Sequence, residues 1–440
     1  MNFISLVFIT ALPVIVLLYK ILPKRIKPAL LLISSWAFYL YGSPSSFWML
    51  LAVTVISYVS GILLTTIPAK RTVLIIGSVT ILSFLVACKY IKVTSSLPVG
   101  ISFYTFQTFA YLIDVYKGSH PCEKNFFDFS LFVAFFPQLV AGPIERPGKL
   151  IPQLKEVKNP SKADFSEGTA LLITGYFKKV VVADYIATYV DIIFTSPECS
   201  KGLIVFLGAI LFAIQIYADF SGYSDIARGC GKLLGIELDL NFNHPYLAEN
   251  IRDFWRKWHI TLTSWFTDYI YIPLGGNRKG TLRKILNTLI VFGLSGIWHG
   301  SGLKFFIWGL GHGLLILFED LNSVKKLSKK LPKCVNMLIN FFFVSFLWIF
   351  FRAETFTAAK SLICGLFTGI TDFTGFLSFC AKDYALMLIC SLLLYLVPKY
   401  TEKKGEKNFI IMYLLVIIII GAKINQIRSG IQNSFIYFNF

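Results

Sequence analysis

Residues 47–67 read FWMLLAVTVISYVSGILLTTI, a run without a single charged side chain. A helix of this length rises about 30 Å, which matches the hydrocarbon thickness of a bilayer. A helix that is apolar on every side lies in a membrane or in the core of a large protein. The run therefore predicts a membrane-spanning helix, and the remainder of the chain repeats its pattern.

Composition favours a membrane protein over the whole length. Hydrophobic residues make up 55% of the 440 residues and charged residues only 15%, with 42 copies of Phe. Soluble domains carry about 25% charged residues, so polar surface is too scarce here to cover a water-soluble globule. Further apolar runs lie at 3–19, 29–41, 73–88, 203–217, 285–298, 305–318, 337–351, 386–397 and 409–420, and two with polar residues at 97–116 and 126–140. We predict an all-α polytopic membrane protein with about ten to twelve transmembrane or re-entrant helices.

The net charge of +18 is concentrated between the apolar runs. Lys and Arg cluster at 20–27, 70–71, 325–333 and 399–407, as cytoplasmic loops do under the positive-inside rule. This distribution leaves no soluble basic face. We therefore expect the lipid bilayer as a partner, and no nucleic acid.

We predict a single membrane domain, residues 1–440, with three parts that differ in the residue types of their apolar runs and loops. Residues 1–95 are simple apolar hairpins, and residues 321–440 are apolar helices around basic loops. Residues 96–320 mix apolar runs with glycine, aromatic and polar residues. Polar groups at membrane depth are costly and commonly mark functional sites, so we expect the catalytic core in this middle section.

The stretch QIYADFSGYSDIAR at 215–228 supplies two candidate substrate-binding residues, Asp219 and Tyr223. A carboxylate on an apolar helix needs a partner, and pairing with a cation is the structural alternative for Asp219. Arg228 follows Asp225 by three residues and is spaced to pair with it.

A basic and aromatic segment, NFNHPYLAENIRDFWRKWHI, occupies residues 241–260. Its Arg252, Arg256 and Lys257 lie beside Trp255, a combination that suits the cytoplasmic interface of a membrane. The same side chains are candidates for binding an anionic donor, such as the phosphates of coenzyme A or of an acyl carrier arm.

A tight turn follows at 271–279, YIPLGGNRK, where Pro, paired Gly and Asn interrupt any helix. Asn277 and Arg278 of this turn are further candidates for donor binding. The simpler interpretation of its positive charges is that they hold the loop on the cytoplasmic side.

Among five histidines, His299 has the best position for catalysis. It lies in LSGIWHGSG, residues 294–302, at the end of an apolar run, and the three glycines allow backbone or substrate to approach closely. A neutral imidazole with an ordinary pKa of about 6.5 is suited to accept a proton from a hydroxyl near neutrality. Trp298, which precedes it, is a candidate substrate contact.

The other histidines favour structural roles on residue chemistry alone. His120 and His244 each precede proline in polar loops. His312, in WGLGHG, lies on a helix whose glycines predict close packing, so we expect an interhelical hydrogen bond. His259 follows the basic segment, where it would orient a thioester or relay a proton. No zinc signature, Walker loop or dinucleotide fingerprint is present, so we predict no metal and no bound cofactor.

Several ordered motifs resemble the membrane-bound O-acyltransferases, in particular the bacterial branch that O-acetylates alginate and similar polysaccharides. The similar stretches are PVGISFYTFQTFAYLIDVYKG at 98–118, FFPQLVAGPIERP at 135–147, QIYADFSGYSDIARG at 215–229, NFNHPYLAENIRDFWRKWHITLTSWFTDYIYIPLGGNRKG at 241–280 and LSGIWHGSGLKFFIWGLGHGLL at 294–315. The FIYFNF at 435–440 is also similar to that branch.

The resemblance implies helices around a central reaction chamber in a bacterial cytoplasmic membrane. It implies that His299, in WHG, occupies the principal catalytic position and acts as general base, and that His259, in RKWH, occupies the second histidine position. It also implies a cytoplasmic thioester donor, acetyl-CoA or an acyl carrier. The acceptor would be an extracytoplasmic polysaccharide or an exported acetyltransferase partner.

Two other functions stay open at this point. The D-alanyl transferases of teichoic acids belong to the same family and use a carrier-protein donor, although the PLGGNRKG turn is more similar to the acetylating branch. A transporter without chemistry would also place polar groups in the membrane. Against it, no inverted repeat is visible and the polar groups cluster around histidines.

Overall fold

The computed structural model describes residues 3–94, 97–197, 200–368, 409–429 and 435–436. These residues form helices joined by loops, and the single extended pairing among them is an antiparallel bridge between Phe242 and Trp258. The predicted all-α architecture is confirmed. The predicted helix at 386–397 and the basic cluster at 399–407 lie outside the described residues.

Four helical stretches are long and apolar enough to cross a membrane: Pro44–Thr66, Lys70–Ile91, Leu203–Leu233 and Lys333–Arg352. Large apolar side chains project outward from the first two, where Trp48 is 73% and Ile76 61% exposed. Such surfaces are unfavourable in water, and lipid is the solvent that accepts them. The chain is therefore a polytopic integral membrane protein.

The chain forms two compact units. The first consists of Met1–Gly175 and Tyr223–Leu240. Its helices are α1 (Leu6–Ile21), α2 (Lys27–Gly42), α3 (Phe47–Thr66), α4 (Lys70–Val86), α5 (Ile101–Lys117), α6 (Phe126–Ala134), α7 (Phe136–Leu139), α8 (Pro147–Lys155) and α9 (Lys162–Tyr176). Buried amides join them: the side chains of Gln107 and Gln138 both donate to the Phe132 carbonyl, at 2.9 and 2.7 Å.

The second unit consists of Tyr176–Gly222 and Asn241–Phe440. Its helices are α10 (Asp184–Thr195), the first part of α11 (Leu203–Leu233), α12 (Ile251–Lys257), α13 (Ile260–Phe266), α14 (Thr281–His299), α15 (Leu303–Glu319), α16 (Asn322–Lys330), α17 (Lys333–Arg352), α18 (Phe356–Gly365) and α19 (Phe409–Ser429). All the histidines discussed below except His120 belong to this unit.

Helices α14 and α15 form an antiparallel pair in close contact. A Cβ on Gly309 would lie 2.1 Å from the Phe292 carbonyl oxygen, and a Cβ on Gly296 would lie 2.3 Å from that of Phe305. Glycine is what lets two helices approach this closely. The close packing predicted for the WGLGHG helix is confirmed, and it fixes the end of α14, where His299 lies.

Candidate functional site

The backbone around His259 is held by pairing between two short extended segments. The Asn243 amide donates to the Lys257 carbonyl at 3.0 Å, and the Ile260 amide donates to the Asn241 carbonyl at 2.9 Å. His259 lies between α12 and α13 with φ +44°, one of three positive values for non-glycine residues in the described ranges. A bulky residue is held in this sparsely populated region when its surroundings dictate it, which is typical of functional sites.

A single side-chain oxygen fixes the tautomer of His259. The Asn241 Oδ1 atom accepts from the Thr261 amide at 3.2 Å and from the Thr261 hydroxyl at 2.9 Å. It also lies 3.1 Å from His259 Nδ1. Because a backbone amide can only donate, the atom facing Thr261 is the amide oxygen, and Nδ1 of His259 must carry the hydrogen. Nε2 is then the basic nitrogen of this ring.

Burial keeps His259 neutral. Its side chain is 1% exposed, and it lies outside the four spanning helices. Removal from water penalises the imidazolium form, which lowers the pKa of His259 to about 3. A neutral ring with a fixed tautomer can accept a hydrogen bond through Nε2 at any physiological pH.

His299 ends α14 inside a cluster of aromatic rings. Its ring centroid lies 4.8 Å from that of Trp298, 4.8 Å from Trp308 and 5.3 Å from Phe351. The Trp298 indole is also 6.3 Å from the His259 ring. The structure thus brings together three of the predicted site residues, with both candidate catalytic imidazoles against one indole. This cluster, His259, Trp298 and His299, is called the histidine cluster below.

The glycines that flank His299 have a structural use. A Cβ on Gly300 would lie 2.1 Å from the ring of Phe305. Together with the approach at Gly296, this contact shows that the glycines admit α15 and its side chains. The sequence had left open whether backbone or substrate requires this room, and the described contacts are made by the protein itself.

The three cations of α12 are not equivalent. Arg252 pairs with Asp320 at 2.9 Å, and Lys257 pairs with Asp253 at 2.7 Å. Arg256 is exposed and has no ion pair among the described residues. Of the three predicted donor-binding cations, Arg256 is therefore the one whose charge is unopposed by a carboxylate.

A cavity of about 670 Å³ lies beside α12. Arg252 and Arg256 contribute to its lining from α12, and Phe318 and Glu319 contribute from α15. Lys325 and Lys329 of α16 also line it, and Lys325 pairs with Asp320 at 3.2 Å. Four carboxylates, those of Glu249, Asp253, Glu319 and Asp320, also line the cavity, so its cations and carboxylates are equal in number. Arg256 and Lys329 are the lining cations without an ion pair among the described residues, and they are the candidates for binding an anion.

The predicted residues Asn277 and Arg278 lie in an exposed turn between a π-helical segment, Thr267–Tyr271, and α14. The side chain of Asn287 stabilises the turn: it is fully buried and donates to the Gly276 carbonyl at 2.9 Å. Both side chains are at the surface, whereas His259 and His299 are buried. Their role in donor binding stays a prediction.

Asp219 forms an ion pair, which is the structural role that the sequence offered as the alternative to substrate binding. Lys179 Nζ lies 2.5 Å from Asp219 and 2.8 Å from Asp184, and all three side chains are buried. The other carboxylate oxygen of Asp219 accepts from the Ile436 amide at 2.8 Å. Sequence reasoning missed Lys179, although an isolated pair of lysines in an apolar stretch is itself a signal of a buried partner.

Tyr223 belongs to the first unit, where its ring stacks on Phe3 at 4.5 Å. It is 2% exposed. Arg228 lies 3.9 Å from Asp225, as its spacing predicts. Substrate binding by Tyr223 stays a prediction.

Trp255 and His312 meet at the inner side of α12. Their ring centroids are 5.0 Å apart, and Trp308 lies 5.2 Å from His312. The interhelical hydrogen bond expected for His312 is not found: neither ring nitrogen has a hydrogen-bond partner in the described part of the chain. Among those residues, no group of three His, Cys, Asp or Glu side chains is arranged to hold a metal ion.

The described residues thus form a polytopic helical protein with two buried imidazoles in contact with one indole, and imidazole is a side chain that can perform acid–base chemistry near neutrality. Comparison with known families gives the class its name. The profile described as "MBOAT, membrane-bound O-acyltransferase family" matches residues 72–355. The chain belongs to the membrane-bound O-acyltransferase family.

Its relatives transfer acyl groups. The chain is 37% identical over 385 residues to "Probable alginate O-acetylase AlgI" of Pseudomonas aeruginosa, covering 81% of this chain and 73% of the relative. It is 38% identical over 298 residues to "Peptidoglycan O-acetyltransferase" of Helicobacter pylori, covering 61% and 56%. It is 28% identical over 278 residues to "Teichoic acid D-alanyltransferase" of Bacillus subtilis, covering 58% and 69%. The chain is thus an O-acyltransferase of the membrane, and the transporter alternative is not supported.

Proposed function

We propose that this O-acyltransferase moves an acetyl group from cytoplasmic acetyl-CoA to a hydroxyl outside the membrane, on a glycan or on an exported partner acetyltransferase. The observation that carries the proposal is the contact of His259 and His299 with the same indole, Trp298. Similarity to named O-acetyltransferases at 37% and 38% identity supports acetyl as the group transferred.

The reaction needs one base. A ring nitrogen of His299 takes the proton of the acceptor hydroxyl while the hydroxyl oxygen forms a bond to the thioester carbonyl carbon. The resulting tetrahedral intermediate collapses by breaking its C–S bond. The proton held by His299 passes to the leaving sulfur, which yields the O-acetyl ester and the free thiol, and the base is regenerated.

His259 assists as a neutral group. Its protonated Nδ1 is bound to Asn241, and Nε2 is the ring nitrogen with the basic lone pair, which can accept a hydrogen bond from the acceptor. Since both imidazoles are at most 3% exposed, bulk water is kept from the thioester. This exclusion favours transfer to the acceptor over hydrolysis.

The donor's phosphates bind at the cytoplasmic side. Arg256 is the unopposed cation of α12, and Lys329 lines the same cavity. Phosphate binding by partly exposed cations is weakened by salt. Arg252 lines the same cavity but pairs with Asp320. Donor binding by Lys257, Asn277 and Arg278 stays a prediction.

The proposal is tested with the purified protein in lipid nanodiscs. Acetyl-CoA and a glycan acceptor are supplied, and thiol release is followed with a chromogenic disulfide. We expect His299→Ala to lower kcat at least a thousandfold, since general base catalysis contributes about 10²–10⁴. His120→Ala, which changes a loop histidine of the first unit, is the matched control and should retain activity.

The teichoic acid D-alanyltransferase relative defines the competing outcome. Activity with a charged acyl carrier protein, and none with acetyl-CoA, would reject acetyl-CoA as the donor. Full activity of His299→Ala with acetyl-CoA would reject the proposed base.

A further inference from the structure

We propose that Lys304 is a positioning residue for the acyl transfer, because it fixes the extracytoplasmic end of α17 and holds Phe351 against His299. The inference rests on the proposed function and concerns the side of the base that faces away from the cavity beside α12. The consequence for the reaction is that Phe351 keeps water from the thioester on that side.

Helix α17 places His299 toward the extracytoplasmic side of the membrane. This helix, Lys333–Arg352, is one of the four spanning helices, and it begins at the basic cluster 325–333, which the positive-inside rule assigns to the cytoplasm. A helix of 20 residues rises about 30 Å, so Phe351, its last residue but one, lies at the other side. The Phe351 ring centroid is 5.3 Å from that of His299.

The cavity beside α12 lies along the cytoplasmic part of the same helix. Asn336, Ile339, Asn340 and Phe343 are its lining residues from α17, and all of them precede Phe351 by at least two helical turns. A change at the Phe351 end of α17 is therefore expected to leave donor binding in the cavity unaltered.

Lys304, at the start of α15, binds the end of α17. Its Nζ atom donates to the Phe351 carbonyl at 3.4 Å and to the Ala353 carbonyl. Carbonyl groups in the last turn of a helix lack partners within that helix, and the helix dipole favours a cation beside them. The Lys304 side chain is buried, and its amine lies 4.4 Å from the centroid of the Phe305 ring. A buried lysine is costly at membrane depth, and here its amine caps a helix.

Phe351 connects this cap to the base. Its fully buried ring meets the His299 ring at an interplanar angle of 74° and also contacts Phe305 and Trp308, at 5.2 and 5.1 Å between centroids. The carbonyl that Lys304 binds and the ring that covers His299 belong to the same residue. The Lys304 hydrogen bond therefore limits the movement of this ring away from the base.

The reaction requires such a cover, because water competes with the acceptor. When water enters, its oxygen forms the bond to the thioester carbonyl carbon, His299 takes its proton, and the C–S bond breaks. The products are acetate and the free thiol, so the donor is lost without transfer. A fixed Phe351 excludes water from this side of His299 and thereby favours the acceptor.

The test measures thiol release from acetyl-CoA by the protein in lipid nanodiscs without any acceptor. Lys304→Met keeps the length of the side chain and removes the hydrogen-bond donor. We expect acceptor-free hydrolysis to rise about tenfold, with KM for acetyl-CoA within about twofold of that of the unmodified protein. Lys304→Arg, which restores N–H donors, should return hydrolysis toward the original rate. A purely structural role would lower the activity or leave it unchanged, and would not raise hydrolysis.

Arg352 provides a matched control at the same end of α17. It pairs with Asp191 at 2.5 Å and lies over the Phe194 ring at 5.5 Å, and the Asp191 side chain is 51% exposed. Exposed ion pairs contribute little to stability, so Arg352→Gln should leave hydrolysis and the melting temperature unchanged. Phe351→Leu is a second variant that keeps the backbone carbonyl and removes the ring. It should raise hydrolysis as Lys304→Met does, and it decides the question if Lys304→Met does not fold.

Unchanged acceptor-free hydrolysis in folded Lys304→Met or in Phe351→Leu would overturn the inference, as would an equal rise in Arg352→Gln. If His299→Ala abolishes transfer while hydrolysis stays unchanged in Lys304→Met, only the inference fails. A rise that persists after His299→Ala is added to Lys304→Met would refute His299 as the base, and the inference with it. If a charged carrier protein is the donor in place of acetyl-CoA, the same measurement with that carrier decides the role of Lys304.

Discussion

Replacing Asn241 by alanine tests whether the fixed tautomer of His259 matters for catalysis. The substitution removes one oxygen that accepts three hydrogen bonds, from His259 Nδ1 and from the amide and hydroxyl of Thr261. The Thr261 hydroxyl can rotate to another acceptor. The Thr261 amide and the His259 N–H cannot, so two buried donors lose their partner.

The expected loss of stability follows from these two unpaired donors. Each buried donor left without a partner costs about 1–3 kcal/mol, and water entering the vacated space reduces the total to about 2–4 kcal/mol. The ring also becomes free to rotate and to exchange its tautomer. We expect kcat to fall about 10–100-fold, which corresponds to about 1.4–2.8 kcal/mol of lost transition-state stabilisation.

Asn241→Asp keeps the hydrogen-bond acceptor and changes only its charge, so it tests the electrostatic effect by itself. Aspartate keeps the oxygen acceptor, so stability and activity at high pH should largely return. Its negative charge favours the protonated ring and raises the pKa of His259 from about 3. Because catalysis needs a neutral Nε2, activity should fall as the pH drops through the raised pKa. We expect no such fall due to His259 in the unmodified protein above pH 5, because burial lowers the pKa of this residue to about 3.

The assay is thiol release in nanodiscs between pH 5 and 9, with the melting temperature measured on the same samples. Gln138→Ala is the control, since it removes a buried amide that donates at 2.7 Å in the first unit. It should lower the melting temperature and leave kcat within threefold. A folded Asn241→Ala protein with unchanged kcat would refute the assigned role of His259.

Three further predictions concern charge and packing. Arg256→Gln should raise KM for acetyl-CoA several-fold and weaken its salt dependence, whereas Lys330→Gln, an exposed change outside the cavity lining, should not. Lys179→Met should lower the free energy of unfolding by about 3–5 kcal/mol, because it leaves two buried carboxylates without their cation. Replacing Asp184 and Asp219 by Asn in the same variant should restore the folded yield on gel filtration. Gly296→Ala should destabilise by about 1–3 kcal/mol, because its Cβ would lie 2.3 Å from a backbone oxygen. Gly421→Ala, which meets nothing within 4 Å, should be neutral or stabilising in thermal unfolding.

Sequence patterns predicted the spanning helices where apolar runs have clear ends. The run at 47–67 is α3, Phe47–Thr66, almost residue for residue. The run at 97–116 begins late, at Ile101, because Gly100 adopts φ +74° before α5. The run at 126–140 is broken into α6 and α7 ahead of Pro137. Glycine and proline thus changed where the helices begin and end, but not the predicted all-helical architecture.

The site was predictable only in part. Motif order pointed to His259, Trp298 and His299, which do lie together. The Asn241 contact was missed because it depends on a backbone pairing between segments about 18 residues apart, which hydrophobic periodicity does not encode. For His312 the expected hydrogen bond was wrong within the described residues, since its neighbours are aromatic rings. Periodicity gives the face of a helix, while the partner on that face comes from tertiary packing.

The ion pairs of Lys179 have a consequence for biogenesis. A carboxylate in the middle of α11 opposes partition of that helix into lipid when it emerges alone from the ribosome. Lys179 is synthesised forty residues earlier than Asp219, and it already has Asp184 beside it. We therefore expect α11 to enter the bilayer more readily once its carboxylate has met Lys179, because the ion pair neutralises both charges.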